Sequence, residues 1–173
     1  MNKLVTLAAA SLLLAAGAVQ AQSPSDAQIA FIVVTANQVD IDAGKLAESK
    51  ASSADVKAFG KQMVTDHSGV NKQAVALVTR LKVTPEDNAT AKSLKSGGAE
   101  NVARLEKLSG AAFDRAYVDH EVVYHEQVLE ALDKTLIPNA QNPELKALLV
   151  AVRPAFVAHL DHARHIQTSL KKG

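Results

Sequence analysis

The stretch Phe113 to Leu136, FDRAYVDHEVVYHEQVLEALDKTL, decides the fold. At about 100° per residue, Phe113, Ala116, Tyr117, Val118, Val122, Val123, Tyr124, Val128, Leu129, Ala131, Leu132 and Leu136 fill one broad arc. Arg115, Asp119, Glu126, Gln127, Glu130, Asp133 and Lys134 fill the opposite one. The pattern predicts an amphipathic helix whose buried face is interrupted. Glu121 falls near the centre of the apolar arc, and His125 follows one turn later, at i+4. A polar group left unpaired in a core costs about 2–7 kcal/mol, so other helices must bring partners.

Those helices show in the same periodicity. The first, about 24–50, carries Ile29, Ile32, Val33, Ala36, Val39, Ala43, Leu46 and Ala47. Ala51-Ser52-Ser53 breaks it and opens a second, with Asp55 placed to cap, running to about Leu81 on Val56, Phe59, Met63, His67, Val70, Ala74 and Leu77. The last, Pro143 to about Leu170, carries Leu145, Leu148, Leu149, Val152, Phe156, His159, Ala163 and Ile166, with Pro154 inside it removing one backbone hydrogen bond. Ser23-Pro24, Thr84-Pro85 and Asn142-Pro143 each set a capping residue before a proline suited to the first helical position. Asp26 and Asp87 would then stand where a carboxylate meets free N–H groups. Residues 85–109 are weaker: Leu94, Val102, Leu105 and Leu108 keep helical register, but Gly97-Gly98 interrupts it. They read as a short helix or helices within a crossover. No strand pattern or repeat appears. The expected fold is all-α, a four-helix bundle with one helical crossover between its second and third long helices, which is a ferritin-like topology; a five-helix up-down array differs only in the path of 85–109.

The first residues read differently. Lys3, the apolar run Leu4 to Val19 and Val19-Gln20-Ala21 make residues 1–21 a secretory signal peptide. A spanning helix is the alternative, and the run is short for a bilayer needing about 20 residues. No Cys follows to carry a lipid. Residues 22–173 would form one bundle domain in the periplasm. Of 19 basic side chains only Lys3 is lost on cleavage, leaving 18 against 18 acidic ones. That balance, with no basic run, argues against nucleic acid. Without Cys no disulfide can help the chain, which must stand on apolar burial. Nothing after residue 21 is long and apolar enough to be an integral membrane segment, while a protein partner or an oligomer is left open.

Each long helix carries an ionisable residue on its core stripe: Asp40 on the first, His67 on the second, Glu121 and His125 on the third, His159 on the last. At 1.5 Å per residue all five fall within about two helical turns of one another. Three imidazoles and two carboxylates form a ligand set for a transition metal ion, zinc, copper, nickel or iron. The alternative is a hydrogen-bonded network that only fixes register, in a non-enzymatic envelope stress or interaction protein. A di-iron site would need Glu-x-x-His on two helices; Val64 and Phe156 stand where those carboxylates belong, so a ferroxidase is not expected. His120, His162 and His165 read as surface residues, and Asp66 as facing water. Tyr117 and Tyr124 flank Glu121 and could donate to it. No nucleophile elbow, phosphate loop or dinucleotide fingerprint occurs.

Three phrases carry a resemblance: Val56-Lys57-x-Phe59-Gly60-x-x-Met63-Val64-x-Asp66-His67, then Phe113-Asp114-Arg115-Ala116-Tyr117-Val118 with His125, then Pro154-x-Phe156-x-x-His159-Leu160-x-x-Ala163. In this order the chain resembles a family of secreted bacterial proteins catalogued as a ferritin-like domain of unknown function. Its members often carry the label outer-membrane protein. The resemblance covers essentially all of residues 22–173 and implies a ferritin-like bundle in the cell envelope, with no established reaction and no catalytic residues. Asp40 departs from it, standing where a Glu is expected. No alternating strands of a barrel accompany the outer-membrane label.

Overall fold

Helix follows the apolar periodicity through the computed structural model, which describes residues 23–172; the expected signal peptide, residues 1–21, lies outside them. There is no strand among the described residues, and no helix among them is long and apolar enough to cross a membrane. The elements are α1 (Asp26–Lys50), α2 (Ala54–Leu81), α3 (Ala89–Glu106), α4 (Gly110–Ala131), a π-helical turn (Leu132–Leu136), the short α5 (Ile137–Asn139) and α6 (Pro143–Leu170).

Helix starts depart from the sequence reading at α1, α2 and α3. At α1 the cap is Ser25 rather than Ser23: its hydroxyl accepts from the Gln28 N–H while the Gln28 side chain accepts from the Ser25 N–H. Asp26 instead accepts from the backbone of Gln141 and Asn142, at 2.9 and 2.8 Å, and ties the start of α1 to that of α6. At α2 the expected Asp55 cap is not made. The buried Asp114 of α4 does the work, accepting from the N–H groups of Ser52 and Ser53 at 2.9 and 2.8 Å and from the Ser52 hydroxyl. Thr84-Pro85 starts no helix. Glu86 N–H bonds to the Ala27 carbonyl and Asn88 to that of Gln28, which holds this segment against α1, and Asn88 caps α3 by accepting from Ala91 N–H. Only Asn142-Pro143 begins a helix as expected.

Gly97-Gly98 does not interrupt α3. Gly98 lets α3 lie on α1: a Cβ there would stand 2.7 Å from Val39 Cγ2, inside contact distance. Gly44 and Gly60 bring α1 and α2 together in the same way, a Cβ on Gly44 meeting the Gly60 carbonyl at 2.8 Å.

These ties give the topology. α1 runs up and α2 down; α3 returns along α1, its far end marked by Lys50 Nζ donating to the Glu106 carbonyl at 2.6 Å. Asp114 fixes the start of α4 at that upper end, so α4 runs down, and α6 runs up from the Asp26 tie. In the ring α1–α2–α6–α4 every neighbour is antiparallel, and α3 packs outside on α1. Val123, expected inside, is half exposed. α4 packs chiefly on α6 and α1, so its buried arc is narrower than the apolar arc of its sequence.

The core falls into two clusters. The lower gathers Ile29, Leu77, Leu132, Leu149 and Phe156; the upper gathers Phe59, Met63, Phe113, Tyr117 and Ile166. Each full burial of such a side chain contributes about 1.5–3 kcal/mol. Between the clusters lies a layer of polar residues.

Candidate metal centre

The structure brings all five expected residues into that layer. Asp40, His67, Glu121, His125 and His159 are each at most 3 % exposed. They form two overlapping triads, His67–His125–His159 and Asp40–Glu121–His125, and within each triad one candidate ligand atom per residue lies within 4.8 Å of the others. His125 belongs to both. The imidazole centroids of His67, His125 and His159 are 5.2–5.7 Å apart.

The outer hydrogen bonds settle which nitrogen of each ring carries a proton. Asn37 Nδ2 donates to the Val33 carbonyl, so its Oδ1 must accept, and His67 Nδ1–H donates to it at 2.6 Å. His125 Nδ1–H donates to the Glu121 carbonyl at 3.0 Å. His159 Nε2–H donates to Asp66 Oδ2 at 2.9 Å. In a neutral imidazole the other nitrogen is then a bare lone pair. Those nitrogens are His67 Nε2, His125 Nε2 and His159 Nδ1, and each is buried with no partner.

Protonation does not resolve this arrangement at ordinary pH. Burial holds the His67 imidazole down to about 2, with His125 and His159 pushing the same way. Burial holds His125 down to about 4 against the pull of the Glu121 carbonyl, and lowers His159 against the pull of Asp66. The carboxyls shift oppositely. Burial raises both Asp40 and Glu121, and their proximity favours one proton shared between them. Asp40 Oδ2 lies 3.4 Å from His67 Nε2 and Glu121 Oε2 lies 3.6 Å from His125 Nδ1, both too long for good hydrogen bonds.

Three assignments change. Asp66, expected to face water, is partly exposed yet holds His159. His120, expected at the surface, is 23 % exposed, stacks on Tyr124 and lies 3.9 Å from Glu121; burial lowers it to about 4. Neither tyrosine donates to Glu121: the Tyr124 hydroxyl donates to the Ala36 carbonyl at 3.0 Å, and that of Tyr117 is buried without a partner. His162 and His165 are exposed, as expected. Asn37 is the residue that sequence reasoning missed. Its one signal is the i, i+3 spacing to Asp40, which puts an amide on the same helix face.

The donor set suits one ion better than two. Two irons need bridging carboxylates from paired Glu-x-x-His motifs, and Phe156 instead stacks on His67 with centroids 5.2 Å apart. Three neutral imidazoles, each oriented by a second partner, are the arrangement that holds zinc, copper, nickel or iron.

Comparison with curated proteins and with solved structures returned no match. A family model, described as a domain of unknown function (DUF4142), matches residues 12–166, and the chain belongs to that family.

Proposed function

We propose that this protein binds a transition metal ion through His67, His125 and His159, with the Asp40–Glu121 pair as a neighbouring carboxylate donor and proton store. One observation carries the reading. Three buried imidazoles each leave one ring nitrogen without a hydrogen-bond partner, and a ring nitrogen of each lies within 4.8 Å of one from the other two. A network serving only to fix register would pair each acceptor with a donor; three acceptors facing one another are satisfied by a cation. Metal bound there would supply Lewis acidity or redox chemistry. Asn37, the Glu121 carbonyl and Asp66 orient the rings, and the two apolar clusters flank the layer.

The setting belongs to the same proposal. Two antiparallel helix pairs joined by α3 support a ferritin-like arrangement. The Lys3, Leu4–Val19 and Val19-Gln20-Ala21 pattern supports export to the periplasm. Expression of the full chain in a Gram-negative host, followed by N-terminal sequencing of the periplasmic fraction, should give Gln22 as the first residue; an intact Met1 would overturn export.

Metal content of protein purified without an affinity tag tests the site. About one equivalent per chain is expected, present as isolated or taken up on titration with Zn²⁺, Cu²⁺, Ni²⁺ or Fe²⁺, with a rise in melting temperature. Less than about a tenth of an equivalent, with no uptake and no shift, would end the reading.

A further inference from the structure

A cavity of about 220 Å³ opens beside the polar layer, between α1, the start of α3 and the lower half of α4. Exposed Thr90 and Gln127 form its rim, Ala131 and Leu149 belong to its wall, and Asn37, Asp40 and His67 are buried polar residues of its lining. The π-helical turn contributes Leu132 and Leu136 to the same wall. Such turns widen a helix locally and occur often at functional sites.

Size and chemistry together narrow the occupant. An engineered cavity of about 150 Å³ holds benzene, so this one takes about nine non-hydrogen atoms by the same proportion. The lining is almost entirely apolar. Of its buried polar residues, Asn37 and Tyr124 are hydrogen-bonded within the bundle, while Asp40 Oδ1 and His67 Nε2 are buried and unpartnered. His67 Nε2 is an acceptor, so the ligand must donate to it; the Asp40 carboxyl can accept or donate, and a hydroxyl meets either. A carboxylate would face the acid pair, and an ammonium would face any metal held by the imidazoles.

From this we infer that the cavity is a binding site for a small uncharged monohydroxyl compound, of phenol class, with its hydroxyl at Asp40 and His67 and its apolar body against Leu149. The binding stands on the cavity; the exclusion of an ammonium and the further meeting of the hydroxyl with a metal rest on the proposed function.

4-Ethylphenol is the probe, titrated calorimetrically into metal-free and Zn²⁺-treated protein. Saturable one-to-one binding is expected. Ala131→Phe, which fills the wall, and Thr90→Trp, at the exposed rim where folding is not at risk, should each weaken it about tenfold or more. Val150→Ser, on an exposed position outside the cavity, should leave it unchanged. 4-Ethyltoluene, lacking the donor, should bind about three- to tenfold more weakly, and 4-ethylbenzoate more weakly still. Absence of saturable binding in either form overturns the inference, as does equal affinity in wild type and both cavity variants. Equal affinity for 4-ethyltoluene overturns the polar end. If 4-ethylphenol binds and no metal does, the metal reading fails and the cavity stands; metal uptake without 4-ethylphenol binding gives the reverse.

Discussion

At the scale of single residues, His125 separates a metal site from a structural network. Under the metal reading, His125→Leu abolishes the stabilisation by metal, which at a hundredfold excess over Kd is about 2.7 kcal/mol. Thermal melts of wild type and variant, with and without each ion, read this directly; a metal-induced rise that survives in His125→Leu but vanishes in His159→Leu would move the essential ligand to α6. Asp66→Ala tests orientation rather than ligation. Partly exposed, Asp66 can be lost at little cost in stability, yet His159 loses the acceptor that fixes its tautomer. Metal affinity should fall about 10- to 100-fold while the metal-free melting temperature holds. The pH dependence of the metal-free protein follows from the same groups. The His125 pKa is depressed to about 4 from about 6.5 in the unfolded chain. The unfolded state therefore binds more protons between those values, and this residue's contribution is present above pH 6.5 and lost as the pH falls to 4. For Glu121 the folded pKa is raised. Its contribution is present below the ordinary carboxylate range and lost as the pH rises through the raised value. Urea unfolding across pH should show a flatter acid limb in His125→Leu and a flatter alkaline limb in Glu121→Gln; parallel profiles for wild type and both variants would contradict these assignments.

At the scale of elements, contacts between helices override local preference. Two adjacent glycines of α3 make the comparison. Gly97 has open space around its Cβ position, so Gly97→Ala should stabilise by about 0.5–1 kcal/mol through helix propensity alone. Gly98 faces Val39, so Gly98→Ala should destabilise by about 1–3 kcal/mol despite the same propensity gain. Chemical denaturation of both variants gives the contrast, and effects of equal sign would mean that α3 does not lie on α1 as described. The cap of α2 is the second case. Asp114→Ala removes a charged acceptor from two backbone N–H groups and a hydroxyl, and should cost about 2 kcal/mol. Asp55→Ala should cost far less, because Asp55 is exposed and makes no such bonds.

Across the whole molecule, the two apolar clusters hold the bundle together and the polar layer weakens it. Five buried ionisable groups, each with a polar atom left unpaired, are costly, and replacing such sets by apolar residues of similar volume is often neutral or stabilising by about 1–4 kcal/mol. Leu at positions 67, 125 and 159 with Leu at 40 and 121 should therefore give a metal-free bundle at least as stable as wild type, unable to bind metal. A large loss of stability in that five-fold variant would show instead that the layer is part of what holds the helices together.

The amino-acid sequence alone determined the all-helical fold, the long helices, the helical crossover and the five residues of the layer. Each follows from apolar periodicity or from an ionisable residue breaking it, and both are local, readable within one helix. It did not determine the helix starts at Ser25 and Asn88, the cap from Asp114, or the exposure of Val123. The Ser25 cap is closed by Gln28, three residues on; for Asn88, the Asp114 cap and Val123 the deciding contacts involve another helix, tens of residues away. The same holds at the centre. That His67, His125 and His159 share a layer was legible, because heights along helices add up residue by residue. That each ring keeps one buried nitrogen unpaired was not, since the tautomers are set by Asn37, the Glu121 carbonyl and Asp66 in the packed bundle.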